Sequence, residues 1–173
     1  MNSSSPLLIA EDDENDVFFL KRAFEQAKIE NPIHIVRDGQ ETIEYLSGAG
    51  NFSDRNKHPI PYLLILDLKM PRKTGMDVLE WLSEQSELRS LPVVVFSSSA
   101  HRTDIERAYE LGANAFVVKP SSMTKRAELV QAMGRFWLQF NEAPVICTDG
   151  PAAARKLREN RIRSETGRKT AGI

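Results

Sequence analysis

Four apolar runs in this chain each end at a side chain that can do chemistry. Pro6 to Ala10 stops at Glu11-Asp12-Asp13, Tyr62 to Leu66 at Asp67, Leu91 to Phe96 at Ser97-Ser98-Ser99, and Ala115 to Val118 at Lys119-Pro120. If these runs are neighbouring strands, their ends converge on one edge of a sheet. Three carboxylates gathered there repel one another, each close pair by roughly 4 kcal/mol at an effective dielectric of about 20. Such a cluster needs cations: a hard divalent ion on oxygen ligands, and the ammonium of Lys119. Mg²⁺ suits the arrangement, because it accepts a few carboxylates, keeps several waters and can hold a phosphate oxygen. A carboxylate so placed can act as nucleophile on phosphorus, giving an aspartyl phosphate. Lys119 and the Ser97 hydroxyl would then stabilise the charge on the equatorial oxygens.

The elements that must position these groups follow from hydrophobic period. The runs at Pro6–Ala10 and Tyr62–Leu66 are continuously apolar, as expected of strands covered on both faces. Val17, Leu20, Phe24 and Ala27 recur at helical spacing behind Asn15 or Asp16 as N-cap, in a helix expected to end near Asn31-Pro32. A short strand is expected over Ile33–Val36, a turn at Asp38-Gly39, and a helix over Glu41–Leu46 closed by Gly48. Ser47 to Pro61 lacks a hydrophobic period and is expected to be a long surface loop. Met76, Leu79 and Leu82 mark a third helix. Ile105, Ala108 and Leu111 mark a fourth, stopped by Gly112, and Leu129, Met133, Phe136, Trp137 and Phe140 a last, longer one.

Strand and helix thus alternate five times, at spacings suited to parallel βαβ units. The right-handed crossover rule predicts a doubly wound, five-stranded parallel α/β sheet of order 2-1-3-4-5, flavodoxin-like, with helices on both faces. Ligands of such sheets bind beyond the carboxyl ends of the strands, where the four chemical side chains fall.

Composition narrows the function classes. The 173 residues suffice for one compact domain with an appendage, expected over residues 6–147, between a flexible stretch at 1–5 and a basic, mobile tail at 148–173. No apolar run is long enough to span a bilayer and no secretory leader is evident, so a cytoplasmic location and no membrane partner are expected. Cys147 is the single cysteine, and His34, His58 and His101 are scattered, which excludes an intrachain disulfide and a Cys/His zinc cluster. From Pro151 to Ile173 seven Lys/Arg stand against two acids, a net of +5, leaving −6 for residues 1 to 150. The acidic body is therefore not expected to bind nucleic acid directly.

Taken together, Glu11-Asp12, Leu66-Asp67 with Met70-Pro71 and Gly75, Pro92 with Ser97, and Val118-Lys119-Pro120 resemble bacterial response-regulator receiver domains over about residues 6 to 142. The resemblance implies that Asp67 is the phosphoacceptor. It implies a Mg²⁺ site, with Mn²⁺ as a substitute, in which Asp12 and Asp67 are ligands, Glu11 acts through metal-bound water and Lys69 offers its backbone carbonyl. Ser97 would be the switch hydroxyl, Ser98 the small residue beside it, Lys119 the phosphate-binding lysine and Phe116 the switch aromatic. The long loop before Tyr62 and the Phe136-Trp137-Leu138 ending resemble the small regulators paired with cyanobacterial and bacterial phytochromes. A sensor histidine kinase, with a bacterial phytochrome as candidate, is the implied partner, docking near Phe18, Phe19 and Arg22; a homodimer is a candidate assembly.

Other readings account for fewer residues. A haloacid-dehalogenase type of enzyme needs an Asp-x-Asp pattern, whereas Asp67 is followed by Leu68-Lys69, so the chain is expected to act on no separate substrate. A nucleotide- or flavin-binding module would need a Gly-rich loop after the first strand. Residues 143 to 173 are too short and too polar for a helix-turn-helix. Asp13 reads as a helix-start residue and His101 as an exposed loop residue; Trp137 and Phe140 read as packing or dimer contacts, and the tail over Ala152–Arg163 as a transient helix.

Overall fold

The computed structural model describes residues 6–141; the expected flexible start at 1–5 and the expected tail at 148–173 lie outside the described residues. Five strands, β1 (Leu7–Ala10), β2 (Ile33–Val36), β3 (Leu63–Leu66), β4 (Val93–Ser97) and β5 (Ala115–Val118), alternate with five helices. These are α1 (Glu14–Gln26), α2 (Gly39–Ser47), α3 (Gly75–Glu84), α4 (Arg102–Glu110) and α5 (Met123–Arg135). The strands form one parallel sheet in the order β2-β1-β3-β4-β5, as the crossover rule predicted.

The apolar runs are continuous because each strand feeds two cores. Leu8 and Ala10, Leu64 and Leu66, and Val93 and Val95 point to one face, where Tyr45 and Leu46 of α2, Val78, Leu79 and Leu82 of α3 and Ala108 of α4 cover them. Leu7 and Ile9, Leu63 and Ile65, and Val94 and Phe96 point to the other, against Leu20, Ala23 and Phe24 of α1 and Val130 and Met133 of α5. Each such Leu, Ile, Val, Phe or Met side chain, fully buried, stabilises the fold by about 1.5–3 kcal/mol. The edge strands β2 and β5 are only half covered, and their runs are correspondingly shorter of buried residues.

Several boundaries differ from the sequence expectation for local reasons. The N-cap of α1 is Asp13, not Asn15 or Asp16: its carboxylate accepts from the amides of Asn15 (2.7 Å) and Asp16 (3.2 Å). That helix stops at Gln26, ahead of Asn31, because Lys28 turns into the left-handed region with φ 56°. Asp38, expected in a turn, caps α2 through the Glu41 amide (2.9 Å), so the helix begins at Gly39. Leu91 belongs to a turn closed by its amide on the Leu88 carbonyl, and β4 instead runs on to Ser97. After Arg135 the last helix widens into a turn of π-helix, Phe136–Phe140, in which Trp137 packs on the α1/α5 core while Phe136 and Phe140 stay exposed. Among the described residues Phe140 thus takes no part in either core.

Beyond the end of α2, the segment Ser47–Pro61 is the surface loop its composition suggested, and it is an ordered one. It contains a 3-10 turn, Gly50–Phe52, and wraps around the Arg55 guanidinium, which donates to the carbonyls of Tyr45 (2.7 Å), Leu46 (2.6 Å) and His58 (3.1 Å). Phe52 and His58 stack at their edges on Tyr45, and His34 Nδ1 lies 2.7 Å from the Tyr45 hydroxyl. Hydrogen bonds to a cation order this segment, which is why no hydrophobic period announced it. Among the described residues no helix is long and apolar enough to cross a membrane.

Candidate functional site

The topology brings the ends of β1, β3, β4 and β5 to one edge, and with them Glu11, Asp12, Asp67, Ser97 and Lys119. One carboxylate oxygen from each of Glu11, Asp12 and Asp67 lies within 4.8 Å of the others. Glu11 and Asp67 are buried and Asp12 is exposed, so the cluster opens to solvent on the Asp12 side. Asp67 Oδ1 accepts from the amide of Leu68 (2.7 Å), which fixes its carboxylate at the strand end.

Lys119 lies at the centre. Its Nζ donates to Glu11 Oε2 (2.6 Å), Asp16 Oδ2 (2.9 Å) and Asp67 Oδ2 (3.2 Å), and its side chain is 5% exposed. The ammonium also lies 5.7 Å from the centre of the Phe96 ring. Burial by itself would lower the Lys119 ammonium, but the hydrogen bonds of Glu11 and Asp16 and the charge of Asp67 outweigh it and hold it above the ordinary lysine range. Glu11 goes the other way: burial pushes its carboxyl up to about 7, although Lys119 opposes the shift. Glu11, Asp12, Asp16 and Asp67 face the cations Lys119 and Arg126, so the cluster carries two charges too many on the acidic side. Its oxygen donors, spacing and charge deficit fit a divalent cation.

Ser97 closes β4 fully buried, and its Oγ accepts from the Ser99 amide (3.3 Å); Ser98 beside it is exposed. Ser99, buried as well, donates to Asp104 of α4 (2.5 Å). The Lys119 amide donates to the Ser97 carbonyl (2.8 Å), so the β4 and β5 ends are locked in register. Phe116 is half-buried on the core face of β5 covered by α2, α3 and α4, and its amide donates to the Tyr109 hydroxyl (3.1 Å). Lys69 is exposed in the connection from β3 to α3. His101 is exposed just before α4, as its sequence surroundings suggested.

That connection is held by close backbone contact. A Cβ at Gly75 would sit 2.2 Å from the Asp67 carbonyl, and one at Gly39 would sit 2.3 Å from that of Lys73. No other residue fits either place. Arg72, with φ 60°, pairs with the buried Asp38 and reaches Glu41 at 3.4 Å, tying the connection to the start of α2. The sequence reading missed this clamp, and it missed Asp16 and Arg126. Asp16 sits in the first turn of α1, and helical side chains lean toward the N-terminus, so its carboxylate leans back to the strand end. Its place one turn beyond the acidic triplet was the available signal; for Arg126, 110 residues further along the chain, there was none.

Known proteins resemble this chain in sequence and fold. The family model described as response regulator receiver domain matches residues 7–133. The chain is 30% identical over 146 residues to the probable methanogenesis regulatory protein FilR2 of Methanothrix harundinacea, covering 84% of this chain and 88% of that one. It is 29% identical to response regulator Rcp1 of Synechocystis, covering 83% and 95%. A solved Mn²⁺-bound form of Rcp1 superposes with a TM-score of 0.76 at 28% identity, over 82% of this chain and 99% of that one. The phosphorylated cyanobacterial phytochrome response regulator RcpA does so with a TM-score of 0.77 at 28% identity, over the same shares. With the order of its strands, the acidic triad at their carboxyl edge and a family model spanning most of its length, the chain belongs to the response regulator receiver domain family.

Proposed function

We propose that the protein is a phosphorylation switch in which Asp67 accepts a phosphoryl group from a sensor histidine kinase. The observation that carries this reading is the convergence on Asp67 of Lys119 (3.2 Å) and of the carboxylates of Glu11 and Asp12. An oxygen of Asp67 forms the new O–P bond as the P–N bond of the donor phosphohistidine breaks and its electron pair returns to the imidazole. Lys119 draws negative charge from the transferred group, and Ser97 and Ser98 border it as hydroxyl donor and small neighbour. Asp12, Asp67 and the Lys69 carbonyl would hold a divalent ion directly, and Glu11 through water; Mg²⁺, or Mn²⁺ in its place, would neutralise the excess acid and the equatorial oxygens.

The phosphoryl group adds about two negative charges at the end of β3. Ser97 moves toward them and Phe116 turns inward, which shifts the population of the α4–β5–α5 face between two arrangements. The chain catalyses its own phosphorylation and dephosphorylation and acts on no separate substrate. The likeness to RcpA supports a phytochrome as the kinase partner, and the likeness to Rcp1 supports a metal at the acidic triad. The exposed Phe18 and Arg22 on α1 form the surface offered to the kinase, and the exposed Phe136 and Phe140 are available to a homodimer. The acidic body favours a protein partner in the cytoplasm over nucleic acid or membrane.

Incubation with acetyl phosphate and Mg²⁺, followed by intact mass, tests the reading. One phosphoryl adduct is expected, dependent on the metal and lost in Asp67→Asn. An adduct that survives in Asp67→Asn, or none in the wild type, overturns it.

A further inference from the structure

Asp16 and Arg126 belong to none of the roles assigned above, yet they complete the surroundings of Lys119. An ammonium has three N–H donors. At Lys119 each meets one carboxylate: Glu11 at 2.6 Å, Asp16 at 2.9 Å and Asp67 at 3.2 Å. The contact to Asp67, the residue that would react, is the longest of the three. Asp16 gives Oδ2 to Lys119 and its other oxygen, Oδ1, to Arg126 on α5. Arg126 in turn donates through Nε to the carbonyl of Pro120, the residue after Lys119 (2.5 Å). A closed ring of contacts thus runs from Lys119 to Asp16, to Arg126 and back to the Lys119-Pro120 backbone. It is anchored where α1 packs on α5 through Leu20, Phe24 and Val130.

We propose that Asp16 is a positioning residue for Lys119, held in place by Arg126, and that the pair keeps the third donor of the ammonium turned toward Asp67. A lysine head rides on a flexible four-carbon stem, and a bare ammonium has no preferred direction. With Glu11 alone as its second partner it would settle toward that carboxylate, and a small displacement from the reacting group is costly in rate. Two fixed acceptors, Glu11 from the end of β1 and Asp16 from α1, determine where the remaining donor points. Arg126 keeps Asp16 oriented without competing for Lys119, since it approaches from the opposite oxygen. The inference rests on the phosphoacceptor reading of Asp67 for its consequence in rate, while the position of Lys119 can be read without it.

Two measurements on the full chain test this. With acetyl phosphate at saturating Mg²⁺, Asp16→Asn and Arg126→Gln are each expected to slow phosphoryl uptake about tenfold, the effect of removing one coupled partner. Arg126→Lys should recover only part of the rate, because it keeps the charge and loses the two-sided grip. In the Lys119→Met background Asp16→Asn should cost nothing further, since there is no ammonium left to position. Losses that multiply in the double variant, or a wild-type rate in Asp16→Asn, overturn the proposal. The ¹⁵N–¹H signal of the Lys119 ammonium in unphosphorylated protein is the second readout. It should move in both Asp16→Asn and Arg126→Gln, and an unmoved signal overturns the proposal as well. A wild type that takes up no phosphoryl group overturns the function of Asp67 alone, and the ammonium signal then decides whether Asp16 positions Lys119.

Discussion

Two regions of this molecule each surround a cation with three acceptors, and they do opposite things with it. At the carboxyl edge of the sheet Lys119 donates to three carboxylates, of Glu11, Asp16 and Asp67. On the flank beyond β2, Arg55 donates to three backbone carbonyls, of Tyr45, Leu46 and His58. Carbonyls are neutral and tied to the chain, so the three acceptors around Arg55 are fixed in place, and burial lowers the guanidinium from its ordinary value. Carboxylates are charged and outnumber their cations, so Lys119 is held above its ordinary range while burial pushes Glu11 up to about 7. The first arrangement is closed and serves to order a loop. The second is short of positive charge, and that deficit makes it receptive to a further cation.

The contrast can be broken from either side. Arg55→Ala leaves three carbonyls without their donor and should cost the largest amount, about 3 kcal/mol, read as a lower urea midpoint. The response of that variant to Mg²⁺ should equal that of the wild type; a lost response would mean that the two regions are not independent. At the site, Mg²⁺ at about one hundred times its dissociation constant should stabilise the fold by about 2.7 kcal/mol. Asp12→Asn should remove most of that gain while leaving the metal-free stability nearly unchanged, because Asp12 is exposed. A full gain in Asp12→Asn would place the ion elsewhere.

A smaller effect separates the two regions by sign. In metal-free protein Glu11, raised from 4.5 to about 7, keeps its proton longer in the folded chain than in the unfolded one. Its stabilising contribution is therefore complete below pH 4.5 and is lost as pH rises through about 7. His34 is lowered, by burial and then by the charge of His58, so the unfolded chain takes up that proton first. Its contribution is present above the unfolded histidine value and lost as pH falls below it. Between pH 5 and 7 the two slopes oppose each other. Glu11→Gln should leave a curve that only rises with pH in denaturation measurements with EDTA, and a curve still falling would contradict the assignment.

Much of the fold was legible in the sequence. Central strands covered on both faces must be apolar throughout, so Leu7–Ala10 and Leu63–Leu66 stand out, and so do the acids that follow them. The same logic located Ser97 and Lys119, and their convergence needed only the handedness of βαβ crossovers. What stayed hidden is carried by polar contacts without period. The Arg55 segment read as a loop because a guanidinium bound to carbonyls leaves no hydrophobic pattern. The Arg72–Asp38 clamp joins residues 34 positions apart in sequence, on two connections that no pattern brings together.

By itself the sequence determined the α/β architecture, the strand order and the five side chains gathered at the carboxyl edge, because burial of strands and crossover chirality act on local pattern. Only the tertiary structure decided which carboxylates share Lys119. Asp16 and Arg126 are 110 residues apart, on helices whose rotation about their own axes is set by how Leu20, Phe24 and Val130 pack between α1 and α5. A hydrogen bond depends on that rotation to within a fraction of an ångström, whereas an apolar stripe tolerates far more.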